Sequence, residues 1–328
     1  MVSSNELIRD IKEGEIIMAK KKVNVLLTGC SGFIGSNVLK YFIEHTDWEF
    51  TCIASWRHKG SPTSITPNPR VRVVTHDLVG PIPELGDFDY IVHMASESHV
   101  DRSIADPVNF IENNVSSTLQ ILEYARKHKP KMFIQFSTDE VYGANNHDEW
   151  DVLLPSNPYA ASKAAQEMIA IAYWKTYKLP IVITNSNNII GENQDPEKFV
   201  PKIVELINEN KTVTIHTANG KPGKRHWNPV TNVSDALLYI LKLDYKKINS
   251  ANRPPRFNMP GGEELDNLQM AQLVAKLMGK KLKFKLVDAE SIRPGYDEFY
   301  AETDGALTKL GYKAPQTLEQ GLAWLSAK

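Results

Sequence analysis

Short apolar runs alternate with longer segments of helical periodicity over the first 190 residues of the chain. The runs predict six β-strands, at Val23–Leu27, Phe50–Ala54, Val71–Thr75, Tyr90–His93, Met132–Phe136 and Leu179–Thr184. The segments between them predict helices at Asn37–His45, Val108–Lys127 and Tyr159–Tyr177. Strands that alternate with helices are typical of βαβ units and a doubly wound parallel sheet. The runs are almost wholly apolar, as expected of strands that are covered on both faces.

The pattern changes after about Ile190, where Pro, Gly and Asn become frequent and the elements become shorter. The predicted elements there are helices at Glu197–Asn208, Asn232–Leu243 and Asn267–Met278 and strands at Val213–His216 and Lys281–Leu286. We therefore expect a sheet domain over residues 20–190 and a smaller mixed α/β C-terminal lobe over residues 191–328, with some segments of the second returning to the first. Residues 1–19 are predicted to be an N-terminal extension, with a packed accessory helix around Leu7, Ile8 and Ile11 as the alternative.

Composition narrows the class of protein. The chain has 328 residues, 42% of them hydrophobic, which is enough for a large core. Its net charge of -1 gives no reason to expect nucleic acid or an anionic membrane as a partner. The two cysteines, Cys30 and Cys52, argue against a disulfide scaffold and a cysteine-based metal site, so we expect no metal. The same cysteine usage fits the reduced cytoplasm, which is the expected compartment. No apolar run approaches the roughly 20 residues that cross a bilayer, so no membrane span is expected.

A glycine-rich turn follows the first predicted strand. Thr28–Gly35 places Gly29, Gly32 and Gly35 in the spacing Gly-x-x-Gly-x-x-Gly, with Phe33 and Ile34 between the last two. Glycines let the backbone approach a diphosphate closely, and the N-terminus of the following helix supplies N–H groups and a positive dipole end. The strand, turn and helix together predict a Rossmann-type dinucleotide-binding domain. The alternative is a tight turn that is packed by small residues.

The end of the second strand bears on the choice of dinucleotide. An acidic residue at that place would bind the ribose 2′-hydroxyl of NAD. The chain has Ala54-Ser55-Trp56-Arg57-His58-Lys59 instead, and Ser55, Arg57 and Lys59 suit a 2′-phosphate. NADP is therefore favoured, and the alternative is NAD beside a solvated basic loop. Asp77 and Leu78, after the third strand, are predicted to touch adenine.

Tyr159 and Lys163 lie four residues apart at the start of a predicted helix and so share one face. A tyrosine hydroxyl has an ordinary pKa near 10. A nearby ammonium and the positive charge of an oxidised nicotinamide would favour the phenolate. Tyr159 is then a candidate base for a sugar hydroxyl that loses hydride. A surface tyrosine and lysine on a helix are the alternative.

Thr138, Asp139 and Glu140 follow directly on the strand Met132–Phe136. Ligands of parallel sheets bind at the carboxyl ends of the strands. Two neighbouring carboxyl groups take separate roles when their surroundings push their pKa values apart, one as an acid and one as a base. Thr138 is predicted to hydrogen-bond a substrate oxygen beside Tyr159. The alternative is an exposed loop in which Asp139 and Glu140 cap a helix.

From about Val23 to the C-terminus the chain closely resembles the extended short-chain dehydrogenases and, within them, the dTDP-glucose 4,6-dehydratases. The similar segments are Thr28–Ser36, Val92–Ile104, Ser137–Gly143, Pro158–Ala164, Pro196–Lys198 and Arg293–Asp297. The second and third of these are specific to the dehydratase branch. The resemblance implies oxidation at C4 of a nucleotide sugar with Tyr159 as base, removal of the C5 proton by Glu140, protonation of the C6 hydroxyl by Asp139, and return of the hydride to C6.

The resemblance also implies positions that bind the substrate and the cofactor. The substrate positions are Glu97, Ser98, Thr138, Asn188, Lys198, Phe199, His216, Arg225, Asn258, Arg293 and Tyr296. The cofactor positions include Ala95, Ser96, Asn114 and Ser137, besides the glycine turn and the Tyr159–Lys163 pair. By similarity to the family, we also expect this chain to form a homodimer through a four-helix bundle. The alternative is a monomer that buries the same helix faces in its own core.

Departures from the family pattern collect in the part that binds nucleotide. The family has an acid where Ala54 stands and an arginine where Asn185 stands, and a longer loop, Asn219–Lys224, precedes Arg225. The nucleobase and the sugar therefore stay open among dTDP-glucose, UDP-glucose, UDP-GlcNAc, GDP-mannose and CDP-glucose. A nucleotide-sugar 4-epimerase or decarboxylase would keep Tyr159 and Lys163 without needing the carboxyl pair. A non-catalytic nucleotide-binding protein would need neither pair.

Overall fold

The computed structural model describes residues 22–56, 64–259, 263–288, 299–302 and 305–327. The predicted extension, residues 1–19, lies outside the described residues. The strands are β1 Asn24–Thr28, β2 Glu49–Ala54, β3 Val71–Thr75, β4 Tyr90–His93, β5 Met132–Phe136, β6 Asn145–His147, β7 Ile181–Ser186, β8 Asn188–Ile190, β9 Val213–Ala218, β10 Lys221–Pro222, β11 Lys224–Pro229, β12 Arg256–Met259, β13 Glu263–Asp266, β14 Phe284–Asp288 and β15 Phe299–Glu302. The helices are α1 Phe33–His45, α2 Val100–Ala105, α3 Pro107–His128, α4 Pro158–Tyr177, α5 Phe199–Asn208, α6 Val230–Leu241, α7 Tyr245–Ile248, α8 Asn267–Leu277, α9 Gly305–Lys309 and α10 Leu318–Gly321.

Seven strands form one sheet in the order β12-β7-β5-β4-β1-β2-β3. All six neighbouring pairs in this sheet are parallel. The strand order reverses at β1, which lies between β2 and β4, and such a switch point is where open α/β sheets bind their ligands. The predicted Rossmann-type doubly wound sheet is confirmed.

Both faces of the sheet are covered because consecutive side chains of its strands alternate between two cores. Val25 and Leu27 of β1 belong to a core shared with α1 and α6, including Phe42. Leu26 points the other way, into a core shared with α3 and α4 that includes Ile121. Helices α1 and α6 contact each other on the first face, and α3 and α4 contact each other on the second. This explains why the strand sequences are apolar throughout.

The second half of the chain is divided between two bodies. Helices α5 and α8 enclose a third core with β9 and β11, around Ile203, Trp227 and Val274. Strands β10, β9 and β14 form a three-stranded sheet, and β13, β11, β15, β6 and β8 form a five-stranded one. In contrast, α6 packs on α1, and β12 pairs with β7 at the edge of the large sheet.

The residue at which α4 begins determines which of its side chains lie at the carboxyl end of β5. Asn157 precedes the helix with extended backbone, and its side chain accepts a hydrogen bond from Ala160 N at 2.9 Å. Pro158 at the first helical position has the φ that a helix requires and lacks an N–H that would go unpaired there. The helix ends at Lys178, which has a left-handed φ of 58°. These signals place Tyr159 in the first turn, directly beside the carboxyl end of β5.

Candidate active site

A cleft of about 1180 Å³ runs along the carboxyl edge of the large sheet, between this edge and the C-terminal lobe. Its lining takes in the residues that follow five of the parallel strands: Gly29 after β1, Ser55 after β2, Asp77 after β3, Ala95 after β4 and Ser137 after β5. Residues of α5, β9 and β11 form the opposite wall. The cleft therefore lies where the strand order reverses and is large enough for a dinucleotide together with a second ligand.

Two glycines of the turn, Gly29 and Gly35, have no room for a side chain. A Cβ at Gly35 would lie 2.2 Å from the carbonyl oxygen of Gly29, and one at Gly29 would lie 2.9 Å from the nitrogen of Ala95. Gly29 also has a φ of +76°, which favours glycine. No side chain caps α1 at Gly32, and no acid stands in its first turn, so the N–H groups and dipole of this helix end face the cleft with Phe33 and Ile34. A dinucleotide diphosphate fits this arrangement.

The adenosine end of the cleft contains polar and apolar predicted contacts but no acid directly after β2. Ser55, Asp77 and Leu78 line it. Trp56 has a left-handed φ of 56° and donates from its ring nitrogen to Thr75 Oγ1 at 3.1 Å. Arg57 and Lys59, on which the NADP prediction depends, lie outside the described residues.

Asn114, a predicted cofactor position, is fully buried and is not among the residues that line the cleft. Its contact with a cofactor stays a prediction. Oδ1 accepts from Glu97 N at 2.7 Å, and Nδ2 donates to Glu97 O at 3.0 Å and to Ser162 Oγ at 2.8 Å. Asn114 thus holds the loop after β4 against α4, because both elements need a partner for polar groups that are inaccessible to water. The predicted contacts Ala95, Ser96 and Ser137 do line the cleft.

Tyr159 and Lys163 reach the cleft one helical turn apart. Lys163 is 3% exposed, and its Nζ donates to Phe136 O at 2.7 Å. Burial lowers the pKa of Lys163 to about 7, and the charge of Glu167 opposes that shift. The ammonium is therefore poised to lose its proton near neutral pH.

The pKa of Tyr159 shifts in the direction opposite to the one expected from the lysine. Burial raises this pKa above its ordinary value, and the negative charge of Glu140 raises it further, whereas a hydrogen bond with Thr138 lowers it. The loss of hydration at the buried hydroxyl is the largest cause of this shift. The expectation that the ammonium and an oxidised nicotinamide together favour the phenolate stays a prediction for the protein with its cofactor.

The two carboxyl groups occupy different surroundings. Asp139 and Glu140 begin a short 3-10 turn, with Thr138 as its N-cap; Thr138 Oγ1 accepts from Glu140 N at 3.4 Å and donates to Asp139 Oδ1 at 3.1 Å. Glu140 lines the cleft, and its Oε2 accepts from Asn157 Nδ2 at 3.2 Å. Asp139 is 4% exposed and lies behind the cleft surface, one hydrogen bond away through Thr138. Burial, together with the charge of Glu140, raises the pKa of Asp139 to about 7.

Most of the predicted substrate contacts meet in the same cleft. Those that line it are Glu97, Ser98, Thr138, Asn188, Lys198, Phe199, His216 and Arg225. Lys198 Nζ donates to Ser98 O at 2.8 Å and so joins the C-terminal lobe to the loop after β4. The ring of Phe199 stacks on that of Trp227, with 5.8 Å between ring centres. Arg293 and Tyr296 lie outside the described residues.

Asn258, a predicted substrate position, is fully buried on β12, in register with Asn185 of β7, and is not among the residues that line the cleft. Its Oδ1 accepts from the Tyr142 hydroxyl at 2.9 Å, and its Nδ2 donates to His147 O at 3.3 Å. Asn258 therefore supports the segment after the 3-10 turn, and its contact with substrate stays a prediction.

Sequence reasoning missed several residues of the cleft. Asn157 holds Glu140 while it caps α4, and an asparagine directly before Pro158 is a helix-start signal that could have found it. At the mouth, Glu197 accepts from Arg102 at 2.6 Å and lies 3.2 Å from the ring of His99. That cluster joins residues almost a hundred positions apart, and no local pattern indicates it.

The described residues contain neither a membrane-spanning helix nor a metal-binding cluster. None of their helices combines the length and the apolar character that crossing a bilayer requires. Likewise, no three or more of their His, Cys, Asp and Glu side chains come together in a way that would hold a metal ion.

Comparison with known proteins gives a consistent family. The model of the NAD dependent epimerase/dehydratase family matches residues 25–251. The dTDP-glucose 4,6-dehydratase of Streptomyces antibioticus is 31% identical over 315 residues, which cover 92% of this chain and 90% of that protein. The solved dTDP-glucose 4,6-dehydratase DesIV of Streptomyces venezuelae, with NAD and TYD bound, is 30% identical, with a TM-score of 0.84 over 93% of this chain and 96% of that one. The enzyme of the same name from Bacillus anthracis, in complex with NAD, is 28% identical, with a TM-score of 0.79 over 93% of this chain and 96% of that one.

Proposed function

The chain belongs to the NAD dependent epimerase/dehydratase family, and from this premise we propose that it is a nucleotide-sugar 4,6-dehydratase. The substrate is a nucleoside-diphosphate hexose like dTDP-glucose, and the product is the 4-keto-6-deoxy sugar nucleotide. One observation carries the proposal above all: Asp139 and Glu140 lie beside Tyr159 in surroundings that differ, one carboxyl buried with a raised pKa and the other lining the cleft. An epimerase has no need of such a pair.

The residues of the chain divide the proton transfers among themselves. Tyr159 takes the proton of the sugar 4-hydroxyl, while Thr138 binds the same oxygen. Once C4 has also lost its hydride, the resulting 4-keto group acidifies C5–H, and Glu140 removes that proton. Asp139, protonated near neutral pH, gives its proton to the departing 6-hydroxyl, which leaves as water. After the hydride has returned at C6, Glu140 gives its proton back to C5. The proton that Tyr159 took replaces the one that Asp139 gave up, so the net change is the loss of one water from the sugar.

The residues present fit a nicotinamide dinucleotide. Its diphosphate would be held by the glycine turn and the start of α1, and its nicotinamide would lie by Tyr159 and Lys163, which line the same cleft. When bound, this group supplies the acceptor for the C4 hydride and the donor that returns it to C6. Lys163 orients the ribose and keeps a positive charge near the tyrosine hydroxyl while it is protonated.

The choice between NAD and NADP remains a prediction. The family match and the NAD of both solved relatives favour NAD. The sequence after β2 favours NADP, because residues 54–59 include no carboxylate and include the cations Arg57 and Lys59. Mass spectrometry of the dinucleotide released from denatured protein decides between them. NAD in that extract would overturn the preference for NADP.

A homodimer in the cytoplasm is also a prediction. The outward faces of α3 and α4 support the dimer, because they expose Val108 (62%), Leu119 (40%) and Met168 (48%). Two copies of this helix pair, packed face to face, would cover those side chains in a four-helix bundle. Sedimentation equilibrium measures the mass directly, and a monomer at micromolar concentration would contradict the prediction.

Turnover of a substrate panel tests the proposed function. Purified protein is incubated separately with dTDP-glucose, UDP-glucose, UDP-GlcNAc, GDP-mannose and CDP-glucose, and the alkali-induced absorbance of a 4-keto product is followed. We expect this absorbance with at least one of them, and the nucleotide that gives it identifies the base. Formation of the C4 epimer without any keto product would exclude the dehydratase and support the epimerase alternative.

A further inference from the structure

Behind the catalytic turn lies a buried ion pair that the proposed reaction does not use. Glu167 of α4 and Arg256 of β12 are joined through Glu167 Oε2 and an Arg256 guanidinium nitrogen, with side chains 0% and 1% exposed. The same guanidinium donates to Glu149 O at 3.0 Å and lies 4.5 Å from the centre of the Trp150 ring. A buried pair of this kind is often no more stabilising than apolar side chains of the same size. Stability alone therefore does not explain its presence.

The other carboxylate oxygen of Glu167 leads to the catalytic turn. Asn185 of β7 donates from its Nδ2 to Glu167 Oε1 at 2.8 Å and to Thr138 O at 3.1 Å. Both partners of Nδ2 are acceptors, so the orientation of the amide is fixed. Asn185 Oδ1 is buried and has no hydrogen-bond partner among the described residues. An amide with one unsatisfied oxygen is costly to bury, which indicates that its two donated bonds matter.

The contact falls at the point where the turn leaves the sheet. Ser137 N donates to Thr184 O at 2.6 Å, so β7 holds the chain at Ser137 through its backbone and at Thr138 through the Asn185 side chain. Beyond Thr138, the turn is shaped by its own short contacts with Asp139 and Glu140. The direction in which Thr138 enters the turn therefore decides where both carboxyl groups point.

We propose that Asn185 is a positioning residue for Thr138, Asp139 and Glu140, and that the Glu167–Arg256 pair serves to hold its amide. Arg256 holds the buried Glu167 carboxylate in place through its guanidinium. Glu167 in turn orients the Asn185 amide, and Asn185 fixes the carbonyl of Thr138. The inference rests on the proposed dehydratase only for its kinetic readout, since the positioning itself is a property of the backbone.

Two double variants separate positioning from the buried charges. Glu167→Gln/Arg256→Met removes both charges but keeps an amide oxygen for Asn185 to donate to. Glu167→Leu/Arg256→Met removes both charges and that acceptor. Each also removes the Glu167 charge that acts on Lys163, so this electrostatic contribution is the same in the two proteins. Any difference between the two variants therefore measures the effect of losing the hydrogen bond that Asn185 donates to residue 167.

Hydrogen–deuterium exchange of the peptide over residues 137–143 is the first readout. We expect faster exchange in the leucine double variant than in the glutamine one, with equal exchange in peptides from β1 and α1. Equal exchange over residues 137–143 would overturn the proposal. This measurement needs no substrate, so it stands even if the dehydratase assignment fails, which the panel of nucleotide sugars tests on the unmodified protein.

Steady-state turnover is the second readout. We expect kcat to be roughly 10- to 100-fold lower in the leucine variant than in the glutamine variant, because misplaced catalytic groups slow the reaction by such factors. KM should be equal in the two proteins, since the nucleotide-binding residues are unchanged. Equal kcat values, or a change in KM alone, would contradict the positioning role.

A third variant covers the case in which a double variant does not fold. Asn185→Leu is close in size to the native residue, leaves the ion pair in place and removes both donated bonds. It should show the same faster exchange over residues 137–143 and the same fall in kcat as the leucine double variant. Native exchange and native kcat in a folded Asn185→Leu protein would overturn the proposal by themselves.

Discussion

Ionisable side chains are buried at the floor of the cleft, which comprises Asp139, Tyr159 and Lys163, and are exposed to water at its mouth, around Arg102 and Glu197. At the floor, Asp139, Tyr159 and Lys163 are at most 9% exposed, and burial is the largest cause of each pKa shift. At the mouth, Arg102 and Glu197 form an ion pair in which each side chain is 42% exposed. Water screens such a pair, and its contribution to stability is about 0–1 kcal/mol. The buried groups of the floor are therefore suited to proton transfer. The exposed charges of the mouth are suited to contact with a charged ligand.

Replacing Tyr159 tests the floor most severely. Tyr159→Phe keeps the ring and its packing against Phe110 but removes the group that accepts the proton of the sugar 4-hydroxyl. We expect kcat to fall toward the upper end of the range of about 10²–10⁴ that general acid–base groups contribute. The assay is keto-product formation. Tyr173→Phe, on the same helix but bonded to Glu123, is the control and should keep near-native kcat; a near-native Tyr159→Phe enzyme would remove Tyr159 as the base.

Glu140→Gln should separate two steps that share the floor. Oxidation at C4 needs Tyr159 and should continue, whereas removal of the C5 proton should be blocked, with product formation reduced about 10²-fold. The measurement is deuterium incorporation at C5 in deuterated water, followed by mass spectrometry. Glu192→Gln is a matched control, because this carboxylate lines the same cleft. Unchanged exchange in Glu140→Gln would exclude Glu140 as the base.

The pH profile should be limited on its alkaline side. Asp139 acts in its protonated form, and its folded-state pKa of about 7 lies above the ordinary value of 3.8. The protonated fraction is therefore complete well below pH 7 and is lost as pH rises through about 7. Lys163 loses its ammonium in the same window. We expect kcat to fall by up to about tenfold per pH unit above that point; a kcat that is flat from pH 6 to 9 would contradict the assignment.

The same shift makes a prediction about stability. Between about pH 4 and pH 7 the folded state holds a proton on Asp139 that the unfolded chain has released, so burial of this carboxyl lowers stability progressively as pH rises through that window. Asp139→Asn removes this penalty. Its melting temperature should exceed that of the native protein above pH 7, and the gain should vanish near pH 4. A rise in melting temperature that is the same at every pH would show that it does not come from the buried carboxyl of Asp139.

Lys198→Ala tests the mouth and should have the smallest effect. Lys198, a predicted substrate position, donates to Ser98 O and lines the cleft. We expect KM to rise severalfold, up to about tenfold, with kcat nearly unchanged, because an exposed charge contributes about 1 kcal/mol. The rise should shrink at high ionic strength. Lys211→Ala, at a lysine that pairs with Glu209 and is not among the residues that line the cleft, should leave KM unchanged. A large fall in kcat for Lys198→Ala would place this lysine at the floor instead.

The sequence predicted the large sheet closely because its strands are apolar on both faces. Val71–Thr75, Tyr90–His93 and Met132–Phe136 have the predicted bounds. Strands of two to four residues, such as β6, β8 and β12, were missed, since so few residues show no periodicity and their pairing partners lie far away in the chain. Helix α5 begins at Phe199 and not at Glu197, because Lys198 has extended backbone at the N-cap.

The sequence indicated which ionisable residues follow β5, but it did not indicate which of their side chains line the cleft. The sequence placed Asp139 and Glu140 after β5 without indicating that one would be buried and the other would line the cleft. That difference comes from a 3-10 turn whose direction depends on contacts with β7. The amides of Asn114 and Asn258 donate to buried backbone carbonyls, and no pattern in the sequence indicates these bonds.

The position of β12 at the edge of the large sheet has a consequence for synthesis of the protein. Strand β7 ends at residue 186, and its edge partner begins at residue 256. A chain that emerges from the ribosome at ~5–20 residues per second therefore carries an unpaired β7 edge for several seconds. Unpaired strand edges recruit other chains. Slow translation over residues 187–255 would lengthen this vulnerable interval, and a chaperone that covers the growing sheet would protect it until Arg256–Met259 arrives.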